Sequence, residues 1–99
     1  MTSQSDLNAA HVVADDFEKA DDRLKNKLML ILAEYDEDPD YETWCTNQKV
    51  DKSNPQYERE YHDIHMFYIV LWERLGPKDF FRRLETARSQ VRAVRSSRK

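Results

Sequence analysis

The stretch PQYEREYHDIHMFYIVLWERLGP, residues 55–77, decides the fold. Asn54 before Pro55 is a cap followed by a first-turn proline, and Gly76-Pro77 is a left-handed stop followed by a restart. Between them Tyr57, Tyr61, Ile64, Tyr68, Leu71 and Leu75 recur at three-four spacing, which predicts a helix over 55–75. Residues 64–72 add apolar side chains on every side, and at 100° per residue Met66, Ile69 and Val70 point away from that stripe. A helix apolar all round is a buried one. Two neighbouring helices cover roughly two-thirds of its circumference, so a short helix or a second protein is expected to cover the rest.

Working outward, Phe80, Phe81, Leu84, Ala87, Val91 and Val94 predict a last helix over 77–95. Upstream, Leu7, Ala10, Ala14, Phe17, Leu24, Leu28, Ile31 and Tyr35 predict one long amphipathic helix over 5–36, with Asp21 interrupting its stripe. A buried unpaired carboxylate is costly, so that turn is expected to face water or a basic group. Asp38-Pro39-Asp40 ends it, Asp38 capping a short helix over 39–50 that carries Tyr41, Trp44, Cys45 and Gln48 on one side. The reading is all-α: one helical domain over 1–99, a small bundle of three main helices and one short one, with 1–6 and 96–99 as frayed tails.

Composition excludes several classes. The chain has 99 residues, 39% of them hydrophobic and 35% charged, with a mean hydropathy of −0.93. A chain this size buries about 65% of its unfolded surface, enough for one modest core. One glycine and three prolines leave no glycine-based phosphate loop, and the lone Cys45 leaves neither a disulfide framework nor a cysteine zinc cluster. Neither a membrane span nor a secretory signal is evident, and the cytoplasm is the expected compartment.

The net charge of −3 hides an asymmetry. Residues 77–99 balance at +6 and residues 1–76 at −9. Six carboxylates fall between Glu34 and Glu42, among them Asp36, Glu37, Asp38 and Asp40. They can steer a basic partner or pair with the C-terminal arginines. Arg82, Arg88, Arg92, Arg95, Arg98 and Lys99 suit phosphate contacts. Against a nucleic-acid role stand the sequence pI near 5.6 and the absence of aromatics among the arginines beyond Phe81.

Glu58, His62 and His65 share one helix face and are the nearest approach to a metal site. Their spacing matches neither a zinc-protease signature nor the Glu-x-x-His pair of di-iron bundles. The expectation is no metal and no cofactor, with Glu58 and His62 paired at the surface. Asp36, Asp38 and Asp40 lack the glycine and bidentate glutamate of a calcium loop. Arg59 and His65, with five residues between them, resemble the Arg-x(4–6)-His element of HEPN-type ribonucleases, all-α proteins that cleave RNA as dimers. That resemblance implies phosphate binding by Arg59 and proton transfer by His65. It rests on two residues, and Glu60 stands at the place of the polar residue usual after that arginine.

The sequence points first to a non-enzymatic protein–protein interaction module (an adaptor, assembly chaperone or inhibitor) that pairs with itself and with a protein partner. Met66, Ile69, Val70 and Trp72 are the expected anchors, and Glu34, Asp36, Glu37, Asp38 and Asp40 the steering charges. Nucleic-acid binding through the basic C-terminal helix stands second, and the Arg59/His65 ribonuclease third.

Overall fold

The computed structural model describes residues 4–97. They form five helices and no strand: α1 (Gln4–Lys19), α2 (Asp22–Glu37), α3 (Tyr41–Gln48), α4 (Pro55–Leu75) and α5 (Pro77–Ser97). The bounds of α4 are those its caps predict. Asn54 accepts from the Gln56 amide at 3.0 Å, and Gly76 stops the helix at φ +84°, its N–H donating to the Trp72 carbonyl at 2.9 Å. Helix α1 begins at Gln4 and α5 reaches Ser97, so helix extends into stretches read as frayed ends.

The single helix expected over 5–36 is two helices. Ala20 closes the end of α1 with a bond to the Phe17 carbonyl at 3.1 Å. Asp21 is extended (φ −74°, ψ 172°), and its carboxylate accepts from the Leu24 amide at 2.9 Å. The residue that interrupted the stripe is therefore an N-cap, and the backbone bends there. A similar shift occurs at the next boundary. Asp40, not Asp38, caps the short helix, accepting from the Thr43 amide at 2.8 Å, while Asp38 follows the end of α2. Helix α3 ends at Lys49 in the left-handed conformation, φ 61°, with its N–H turned back on the Cys45 and Thr46 carbonyls.

The two elbows, at Ala20–Asp21 and at Gly76, stack side by side. Asp6 meets His62 and Asp15 meets Arg74, so α1 and α4 run parallel. Glu37 meets Arg88 while Asp38 meets Arg95, and Lys25 and Arg83 share the Phe17 ring, so α2 and α5 also run parallel. Between the elbows lies the core: Ala10, Ala14, Phe17, Met29, Leu32, Ala33, Met66, Phe67, Val70, Leu71, Phe80, Leu84, Ala87 and Val91. Ala10 and Ala14 are small enough to let α1 lie close against α4, and Phe17 fills the space where α1 ends. Helix α3 buries Trp44 and Cys45 against α4.

Candidate docking surface

The structure divides the expected anchors. Met66 and Val70 are 3% and 1% exposed and belong to the core of this chain, so neither lies on a free surface. This corrects the expectation of an uncovered girdle: α1, α2, α3 and α5 all pack on α4 and supply the cover. Ile69 is half-buried. Trp72 alone of the four is properly exposed, at 40%.

The acidic run is spent mostly within the molecule. Asp36 accepts from the Tyr68 hydroxyl at 3.1 Å and lies 3.3 Å from Arg88. Glu37 pairs with Arg88 at 3.0 Å and with Arg92 at 3.4 Å. Asp38 accepts from Arg95 at 2.9 and 3.3 Å and from Asn47 at 2.8 Å. Glu34 accepts from Gln48 and Asp40 caps α3. Carboxylates at the end of α2 oppose its own macrodipole, and the arginines of α5 offset that cost. The same pairs occupy three of the arginines read as phosphate contacts. Arg82 leans on Asp79, and Arg98 and Lys99 lie outside the described residues.

Nor does the fold assemble the other candidate pairs. Arg59 lines an open groove with Asp6, Pro55, Glu58, His62 and Asp63, whereas His65 hydrogen-bonds the Tyr35 hydroxyl on α2. Six residues of helix set Arg59 and His65 about 120° apart around the axis. His62 pairs with Asp6 at 3.3 Å rather than with Glu58. Among the described residues no three His, Cys, Asp or Glu side chains are grouped to hold a metal ion. Arg74 donates to Asp15 at 2.6 Å, which holds the Asp15 carboxyl below its ordinary range and fastens α1 to α4.

Aromatic rings run in contact across the molecule. Tyr41, Trp44 and Tyr61 meet at 5.2–6.2 Å. Tyr61 meets Tyr35 at 5.1 Å, Tyr35 meets Tyr68 at 5.8 Å, and Tyr68 meets Phe80 at 4.9 Å. Phe80 touches Phe81, which meets Trp72 at 6.2 Å. Burial pushes the Tyr68 phenol up to about 12, with the negative charge of Asp36 adding to the rise. The chain of rings surfaces at Trp72 and Phe81, the latter 46% exposed, on the two arms of the Gly76 elbow. Around the bend lie Leu75, Pro77, Lys78, Asp79 and Arg82, which line a shallow cavity of about 480 Å³.

The apolar spacing places Phe81 in the stripe of the last helix. Adjacent positions can both be buried, as Met66–Phe67 and Val70–Leu71 are on α4, so no local signal marks which of Phe80 and Phe81 turns outward. Phe80 is fully buried and Phe81 is left outside. No helix among the described residues is long and apolar enough to cross a membrane. No protein-family model, curated protein or solved structure matches the chain.

Proposed function

We propose that this chain is a non-enzymatic, cytoplasmic protein–protein interaction module, of the adaptor, assembly-chaperone or inhibitor kind, and that its first partner is a second copy of itself. The observation that carries the reading is the Trp72–Phe81 pair: two large rings in mutual contact, 40% and 46% exposed, held by a short, capped elbow. Aromatic side chains on a rigid support are the usual energetic anchors of interfaces, because little side-chain freedom is lost on docking. The other exposed large apolar residues, Val12, Val13, Leu24, Ile31 and Val94, stand on other helices or far along α5, without an aromatic among them.

The elbow is self-complementary in charge. Glu73 and Lys78 are exposed and enter no ion pair among the described residues. In a two-fold pairing Glu73 of one copy faces Lys78 of the other, twice, around an apolar centre of Trp72 and Phe81. Analytical ultracentrifugation over a wide concentration range tests this. A dimer is expected, and Trp72→Ala and Phe81→Ala should each weaken it about 30-fold with helicity unchanged. A monomer at every concentration, or a dimer indifferent to both substitutions, overturns the reading.

A further inference from the structure

Lys25 and Arg83 converge on one ring. The Lys25 ammonium lies 5.8 Å and the Arg83 guanidinium 6.0 Å from the centroid of Phe17, a side chain only 1% exposed at the end of α1. Cation–π attraction to a buried ring holds both groups in place, yet it does nothing to neutralise them. Lys25 enters no ion pair among the described residues, and Arg83 shares the single carboxylate of Asp79 with Arg82. Both side chains line one groove, and an anion bound there is attracted by each.

The space beside them has room for such an anion. A groove of about 230 Å³ between α2 and α5 is lined by Lys25, Arg82 and Arg83, with Asn26 and Thr86 as neutral hydrogen-bonding groups and Asp22 as its one carboxylate. Arg82, its side chain 67% exposed, is held by Asp79, and on turning over a ligand it would leave that carboxylate to Arg83. Arginine forks and a lysine point charge together are the side chains that recognise phosphoryl oxygens.

We propose that this groove binds a compact phosphorylated ligand, such as a nucleotide or a sugar phosphate, through Lys25, Arg82 and Arg83. An extended polyanion fits it less well. Nucleic-acid grooves track the backbone with cations over several nucleotides. Here Asp22 on the groove wall, with exposed Asp16 and Asp21 at the adjoining bend, would repel a strand leaving the groove, while Asp15 and Glu18 are held by Arg74. Arg82 also lines the elbow cavity, but Lys25 and Arg83 do not, so the test rests on those two residues and is read apart from self-association.

The test is a two-dimensional amide NMR titration of the full chain with inorganic pyrophosphate at low salt. In a parallel arm a single-stranded oligonucleotide replaces the pyrophosphate. Saturable shifts are expected at residues 25–29 and 82–86, weakening as salt is raised. Lys25→Gln and Arg83→Gln should each raise Kd about tenfold, the loss of one charge-assisted contact. Lys25→Arg should retain binding, and Lys52→Gln, distant on the α3–α4 loop, should leave Kd unchanged. Thermal melts of each variant separate lost binding from lost folding. Absent or non-saturating shifts overturn the proposal, as does an affinity unmoved in well-folded Lys25→Gln and Arg83→Gln. Tighter binding of the oligonucleotide than of pyrophosphate transfers the site to nucleic acid and overturns the compact-ligand assignment.

Discussion

Replacing Asp38 by alanine asks whether the acidic run is an internal fastening or a surface awaiting a partner. The Asp38 side chain is 2% exposed and accepts three hydrogen bonds, two from the Arg95 guanidinium at 2.9 and 3.3 Å and one from Asn47 at 2.8 Å. Removing one member of a fully buried ion pair costs about 3–5 kcal/mol, because the other charge is left without compensation. Arg95 is 26% exposed and can turn part of its guanidinium to water, which lowers that cost. Asn47 loses a hydrogen bond to a charged acceptor, worth about 1.5–3 kcal/mol when fully desolvated and less at this half-buried position. A net loss of about 2–3 kcal/mol is therefore expected, a large part of the 5–15 kcal/mol total that domains of this kind possess. The assay is urea unfolding followed by circular dichroism, read as a fall in midpoint at constant slope. A double-mutant cycle with Arg95→Ala should show a coupling of about 1–2 kcal/mol, since both single changes abolish the same contact. An Asp38→Ala midpoint within error of the parent, or strict additivity with Arg95→Ala, would refute the internal fastening and return the acidic run to the surface.

Two further substitutions test the bend and the aromatic seam. Asp21→Ala should destabilise by about 1 kcal/mol in thermal unfolding through loss of the α2 cap, and Asp21→Ser should restore most of it. Were α1 and α2 continuous, alanine, the better helix former, would stabilise instead, so the sign alone decides. Tyr68 governs a high-pH effect. Its phenol ionises near 10.0 when unfolded and only near about 12 when folded, so the folded state favours the protonated form. Its contribution is fully present below pH 10 and is lost as pH rises through about 12. Urea midpoints measured across that window should fall, and less steeply in Tyr68→Phe.

How much of this was legible in the sequence turns on one residue. Helix α4 could be bounded closely because Asn54-Pro55 and Gly76-Pro77 are local signals with a backbone cause. The bend at Asp21 has no glycine or proline to mark it, and the apolar spacing from Phe17 to Leu24 crosses it without losing phase. That phase is not the one the fold uses: Leu24 and Ile31 are 44% and 43% exposed, and α2 turns Met29, Leu32 and Ala33 inward instead. Reading through the bend produced the next error. A straight helix over 5–36 can lie along one side of α4 only, which leaves the rest of that helix to the short helix or to another protein. Bent at Asp21, the same residues supply two walls: α1 lies along α4, and α2 lies along α5 while also touching α4. The bend also brings the end of α2 beside Arg88 and Arg95, so the charge asymmetry visible in the sequence resolves into contacts whose pairing depends on parallel stacking. The elbow at Gly76 is different in kind. Trp72 lies on the side of α4 turned from α1, and Phe81 lies outside the inward stripe of α5 while its neighbour Phe80 is buried, so the bend that covers Met66 leaves both rings exposed. Their exposure thus follows from the same packing that closes the core, which leaves the exposed rings at the elbow rather than along the middle of α4.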